Sequence, residues 1–469
     1  MLNRRISRRS VLAGAGALGL GLAASGVLSA CSSDGGATPV VDDNIGKSTG
    51  SVDFWIDIQG DANQKYFTDM LTAFTTAVPG VTVKPTFYKG EDLRNQVQTA
   101  LQAQSGPDIV RGPSATQTLT WAKANVLADL TPYSKHWGWD SKLAGWALNA
   151  FTKDGKLRAL PMRVDTMMLY YNKTLFASKG WKTPTNRSEF EALATEQMGQ
   201  GIIPFGSSNV DWKAAGEWLM TIFWNHYAGP DALHQALEGK IKFTDPVFVD
   251  TVALLKSYFD KGWFTGGADK WFSVPAAEVG AGFGNGKYAM IPQGVWFMSQ
   301  VGQYFGEKAK NSNDWDWMPV PALRKEVAYP LYEIGIGGSL AINAASKNQD
   351  AAAQYLNWYY TDRNAALKRM ADVPATYNIP IEFADSEIPA SIDPRAGRVL
   401  RSLNEAVAKG NYGYVTWTWW PPKADVFIYQ GLEKVLTGKM TPAEYCKELD
   451  AQFTEEKNDG NLPQLLPRS

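Results

Sequence analysis

Apolar and polar positions alternate along residues 52–58, with Val52, Phe54, Ile56 and Ile58 on one side. That two-residue period predicts a strand with one buried face. A turn follows at Gln59-Gly60-Asp61-Ala62-Asn63, with Asp61 placed near the start of a helix. Phe67, Met70, Leu71, Phe74 and Val78 recur at helical spacing until Pro79-Gly80 stops them. A second strand is expected over residues 81–87 and a second helix over 92–103, carrying Leu93, Val97 and Leu101. A short strand over 109–111 comes next. Strands alternating with helices imply a mostly parallel sheet, and ligands sit beyond the C-terminal ends of such strands. The pattern therefore points at residues 57–61 and 111–116.

The stretch 155–181 breaks this rhythm. Val164, Met167, Met168, Leu169, Tyr170 and Tyr171 form a nearly continuous apolar run, interrupted by Asp165. A lone acid in a buried-looking strand needs a partner or water. We read this strand as a passage from one lobe to another past a wet cleft, although an edge strand facing solvent has the same pattern. Further on, residues 188–197, 217–227, 248–259, 350–360, 424–436 and 441–455 carry helical patterns. Gly335, Gly337 and Gly338 precede a short apolar run and permit close backbone approach or a hinge. Tyr412 to Trp420 is the densest aromatic segment. If it is extended, Trp417 and Trp419 share one face.

The first 31 residues read as a targeting segment. Ser7-Arg8-Arg9-Ser10-Val11-Leu12 fits a twin-arginine export signal, and the apolar run after it is short for a membrane span. Leu28-Ser29-Ala30-Cys31 resembles the lipobox of bacterial lipoproteins, which places a lipid on Cys31. Residues 32–51 are rich in Gly, Ser and Asp and are expected to be a flexible tether. The body then lies outside the membrane, held to the outer face of the cell membrane.

At 469 residues the chain is too long for one small core. A net charge of -1 gives no reason to expect nucleic acid as a partner. With 3 His and 2 Cys, neither a metal site nor a disulfide framework is expected, and no motif asks for a cofactor. The 18 Trp are the anomaly, since large amphipathic rings suit a binding cleft as well as a core.

Several strings carry a resemblance. LYYNK (169–173) with the GW at 180–181, GPDIV (106–110), VLADLTPY (126–133), NGKYAM (285–290) and GGSLAI (337–342) occur in one order over nearly the whole mature chain. In that order they resemble the sugar-binding branch of the extracellular solute-binding proteins of ATP-driven (ABC) importers. The resemblance implies an α/β, two-lobed periplasmic-binding-protein-like fold, each lobe a mostly parallel sheet flanked by helices. Residues 52–163 and 324–375 would form the first lobe, and 164–323 and 376–469 the second. Crossings are expected near 163–165, 321–324 and 376–380. The protein would be a monomer that captures a carbohydrate between the lobes, performs no bond chemistry, and delivers the sugar to ABC permease subunits in the membrane.

Sugars present flat C–H faces for stacking and a rim of hydroxyls for hydrogen bonds. On that ground the candidate ligand-binding residues are Gln59, Asp61, Arg111, Asp165, Asp211, Trp212, Trp296, Glu333, Trp417, Trp419 and Trp420. For the rings, packing in the core is the competing reading, and for Asp61 a helix cap. Two other functions stay open at this point. A secreted glycoside hydrolase would also use a Trp-lined cleft with two carboxylates. A binding protein for a non-sugar solute such as a polyol or a phosphate ester is the other, and Arg111 keeps the phosphorylated ligand open.

Overall fold

The computed structural model describes residues 44–469 apart from 59, 374–378, 382, 461 and 469. The signal segment and Cys31 therefore lie outside the described residues, as does Gln59. The end of the expected tether is tied down. The N–H groups of Gly46 and Ser48 donate to the Asp350 carboxylate at 2.7 and 2.9 Å, and the Gln354 amide donates to the Ser48 carbonyl.

Two separate hydrophobic cores define two lobes. In the first, β1 (Gly50–Ile56) buries Val52, Phe54 and Ile56 and exposes Asp53. Helix α1 (Asp61–Ala77) lays Phe67, Met70, Leu71 and Phe74 on the sheet. β2 (Val81–Phe87), α2 (Gly90–Gln102), β3 (Ile109–Gly112) and α3 (Ala115–Lys123) follow in turn. Ser114 caps α3 by accepting the Gln117 N–H. β4 (Leu160–Pro161) closes this part of the chain, and β5 (Val164–Asp165) leaves it.

The second lobe is built on β6 (Met167–Asn172), whose residues are buried except Tyr171. Its other elements are β7 (Ile203–Phe205), α4 (Ala215–Phe223), β8 (Tyr288–Gly294) and β9 (Trp315–Met318). Next come β10 (Tyr332–Ile336), β11 (Ser339–Ile342), α5 (Gln349–Thr361), β12 (Tyr412–Tyr414), α6 (Thr416–Trp419), α7 (Pro422–Leu436) and α8 (Pro442–Asn458). A capping box of Thr441 with Glu444 opens α8.

The first sheet has the order β2-β1-β3-β11-β4, with β1 parallel to β2 and β3, and β11 antiparallel to β3 and β4. The second has the order β9-β6-β8-β7. Here β6 runs antiparallel to both neighbours and only the β8–β7 pair is parallel. The mostly parallel pattern expected of both lobes therefore holds for the β1–β3 core and not for the second sheet. In the second lobe the strand entering from the crossing, β6, is central and the chain returns beside it.

Three short strands, β12-β10-β5, form the bridge between the lobes. The Gly337 N–H donates to the Arg163 carbonyl, and the Met162 N–H to the Gly338 carbonyl. The passage expected near 321–324 lies further on. Tyr332 and Ile334 pack in the second core and Ile336 in the first, so the chain changes lobe within β10. Gly335 and Gly337 have no side chain to commit to either core. The third passage, expected near 376–380, falls partly outside the described residues; Ile379 and Ile381 pack in the first core and Val399 in the second.

Candidate functional site

β1 and β3 are parallel neighbours, so their C-terminal ends emerge side by side at the edge of the first lobe. Asp57 follows one and Arg111 is the last but one residue of the other, and they form an ion pair with Nε to Oδ1 at 2.8 Å. Two and four residues past β4 the bridge supplies a second pair, in which the Arg163 Nε–H donates to Asp165 Oδ1 at 2.8 Å. The four groups stand along one wall of a cavity of about 710 Å³ between the lobes. Asp165 is 1% exposed. Burial raises its pKa, and Arg163, Arg111 and an indole N–H from Trp417 pull it back. Burial also lowers Arg111, against the attraction of Asp57. For Arg163 burial is outweighed by Asp165, which leaves the guanidinium held more firmly in its charged form.

Tryptophans line the same cavity beside these groups. Trp296 follows β8, and its ring stands 5.2 Å from that of Trp218 in α4 and 5.8 Å from that of Trp417 in α6, the latter edge-on. A Cβ on Gly294 would lie 2.0 Å from the Trp296 ring, so the glycine lets that ring fold back over its own strand. The Arg163 guanidinium lies 5.7 Å from the centre of the Trp296 ring, joining the polar wall to the aromatic one. Trp212 and Phe427 extend the apolar surface. Thr116 of α3 ties the lobes together by donating to the carbonyls of Trp417 and Trp420.

Of the candidates read from sequence, the structure brings Arg111, Asp165, Trp212, Trp296 and Trp417 to this cavity. Gln59 lies outside the described residues, and the others go elsewhere. Trp419 and Trp420 are core residues, 1% and 0% exposed. The expected extended segment is a strand only through Tyr414 and then turns into α6. Two residues on a helix lie roughly 200° apart, so Trp417 and Trp419 face opposite ways. Trp419 donates its indole N–H to the Ile334 carbonyl at 2.7 Å, and Trp420 stacks on Trp224 at 5.3 Å. Glu333 is fully buried in β10 and bound to His226 at 2.9 Å, away from the cavity. Asp211 accepts the Ala276 N–H at 2.7 Å and organises a loop. Asp61 is exposed in the first turn of α1.

Asp57, Arg94, Arg163, Glu217, Trp218 and Asp425 also line the cavity and were not among the candidates. Asp57 was within reach, since the strand-end rule marked residues 57–61. Arg163 is two residues from the candidate Asp165. Glu217 and Asp425 carry no local signal, because neither belongs to a motif and each gains its neighbour only through packing. Their carboxyls hydrogen-bond each other, and burial raises both pKa values, Asp425 to about 7.

No group of His, Cys, Asp and Glu suited to a metal occurs among the described residues. Nor is any described helix long and apolar enough to cross a membrane.

The family model of the bacterial extracellular solute-binding proteins matches residues 59–366. The multiple sugar-binding protein of Streptococcus mutans is 23% identical over 219 residues, 45% of this chain and 50% of that protein. The chain thus spans about half the length of this curated relative. Among solved structures, a chitin oligosaccharide binding protein superposes with a TM-score of 0.71 at 21% identity, over 87% of this chain and 98% of its own. An ABC transporter solute-binding protein from Thermotoga lettingae, bound with α-D-tagatose, gives a TM-score of 0.69 at 17% identity, covering 87% and 99%. At such identities the likeness is one of fold.

Proposed function

Because the chain belongs to the bacterial extracellular solute-binding proteins, we propose that it captures a neutral carbohydrate between its lobes and delivers it to an ABC permease. The observation that carries the ligand class is the pairing of an aromatic wall with a charge-balanced polar one. Trp212, Trp218, Trp296 and Trp417 offer faces and edges for the C–H side of a sugar ring. Asp57, Arg111, Arg163 and Asp165 offer donors and acceptors for hydroxyls.

These charges cancel in pairs, Arg111 with Asp57 and Arg163 with Asp165. A phosphate ester would need unmatched cations, so the non-sugar reading built on Arg111 is weakened. The hydrolase reading loses its acids in the same way. Asp57 and Asp165 are held by arginines, and Glu217 and Asp425 are in direct hydrogen-bond contact with each other. A hydrolase holds its two carboxyls about 5 Å or more apart.

The finer parts of the proposal rest on the N-terminal sequence. Export by the twin-arginine route, cleavage before Cys31 and lipidation of its thiol would hold a monomer on the outer face of the cell membrane. The test is a thermal-shift screen with neutral mono- and oligosaccharides, polyols, sugar phosphates and uronic acids. A ligand that binds only the folded state raises the melting temperature. A neutral sugar that does so and is recovered intact supports the reading. A response confined to phosphorylated or acidic compounds, or hydrolysis of the sugar, would overturn it.

A further inference from the structure

α6 is a single turn of helix, Thr416–Trp419, and it carries Trp417 on the cavity. A turn that short does not hold itself, because helix nucleation fixes several residues for one hydrogen bond. Its start is held from within its own lobe. Thr221 of α4 accepts the Thr416 N–H at 3.1 Å, and the Asn225 amide pairs with the N–H and the carbonyl of Tyr414, both at 2.9 Å. Its middle is held by the crossing strand, where the Ile336 N–H donates to the Thr418 hydroxyl at 2.9 Å.

The end of α6 is a different problem. The last carbonyls of a helix have no partner inside it. The residues that follow Trp420 are Pro421 and Pro422, which have no N–H to give. The donor comes from the other lobe. Thr116 lies in the first turn of α3, whose Ala115, Trp121 and Ala122 pack in the first core, whereas Trp417 and Trp420 pack in the second. Its hydroxyl stands 3.2 Å from the Trp417 carbonyl and 3.0 Å from the Trp420 carbonyl, so one proton is shared between two acceptors. Thr116 is 3% exposed, which leaves little room for water to take its place.

We propose that Thr116 is a positioning residue of the binding site, which sets the Trp417 ring for its ligand from the opposite lobe. The proposal rests on the reading that Trp417 stacks on a sugar, but not on which sugar it is. Without the hydroxyl the two buried carbonyls lose their donor, and α6 must shift to find another. The ring shifts with it, because the turn has no length of its own to resist. The stacking surface is therefore fixed by the lobe that does not carry it, and it is complete only while α3 is docked on α6.

The test separates positioning from packing. Thr116→Val keeps the shape and removes the hydroxyl, and Thr116→Ser keeps the hydroxyl. Calorimetric titration with the best neutral sugar from the screen should show roughly tenfold weaker binding for Thr116→Val and near-natural binding for Thr116→Ser. In a Trp417→Ala background, Thr116→Val should cause no further loss, because Thr116 acts through that ring. A second measurement needs no ligand. With 5-fluorotryptophan incorporated, the fluorine resonance of Trp417, identified by its loss in Trp417→Phe, should shift or split in Thr116→Val and return in Thr116→Ser. The resonance of Trp181, identified in the same way, should stay in place. Thr116→Ala carries the same expectations should Thr116→Val not fold.

An unmoved Trp417 resonance in Thr116→Val overturns the proposal, whatever the ligand. So does an equal loss of affinity with and without the Trp417 ring, which would mean that Thr116 touches the sugar itself. A failed sugar screen would remove the proposed ligand class and leave the fluorine resonances to decide whether Thr116 sets the ring.

Discussion

A Cβ placed on Gly337 would lie 1.9 Å from Oδ2 of Asp165. The glycine therefore keeps open the space in which Asp165 meets Arg163, at the point where two chain passages cross between the lobes. Gly337→Ala should push the carboxylate off its partner. Breaking a buried ion pair costs roughly 3 kcal/mol, which a urea titration would register as a lower midpoint. Gly302→Ala is the control, because an added Cβ there meets nothing within 4 Å. Equal midpoints for the two variants would mean that the crossing does not depend on this space.

The tryptophans should separate into two classes. Trp419→Ala and Trp420→Ala remove fully buried rings and should cost about 3 to 5 kcal/mol of stability. Trp296→Ala removes a half-buried ring on the cavity wall and should leave stability closer to that of the natural chain. Burying such a ring against a sugar is worth on the order of 2 kcal/mol, so its loss should weaken binding more than tenfold. Calorimetric titration with the best sugar from the screen and urea unfolding of all three variants would check this. A loss of affinity in Trp420→Ala without loss of stability would contradict the division.

Stability should depend on pH through the cleft carboxyls. Burial lifts Asp425 from the ordinary 3.8 to about 7. Between those values the folded protein keeps a proton that the unfolded chain has released. Stability therefore falls as the pH rises through that interval and levels off above it. Glu217 is raised by burial and by Asp425 and acts in the same direction. Asp425→Asn should flatten the slope of unfolding free energy against pH across this window. A variant whose slope matches that of the natural chain would show that the carboxyl is not buried as described.

The proposed membrane attachment rests on Cys31. Cys31→Ser should release the protein from the membrane fraction or block its processing. One acyl chain binds only marginally, so stable attachment implies more than one. Mass analysis of the natural N-terminus without lipid on Cys31 would end the claim.

Much of the fold is legible from residue order alone. Val52, Phe54 and Ile56 mark a strand, and Phe67, Met70, Leu71 and Phe74 a helix face, because burial on one side imposes the period of the element itself. The alternation of such elements already implies a layered α/β architecture, and the strand-end rule already marks the loops that carry Asp57 and Arg111. The run around Asp165 announced a crossing because an acid in an apolar strand needs a partner, and Arg163 is two residues away. The tertiary structure decided what depends on contacts between distant segments. The turn of α6 put Trp417 on the cavity and sent Trp419 and Trp420 into the core, a choice set by packing against Trp224 and Ile334 and not by composition. Glu333 went to His226, and Glu217 met Asp425 some two hundred residues along the chain. Pairing of that kind leaves no trace in local periodicity, because its energy exists only once distant segments of the chain are packed together.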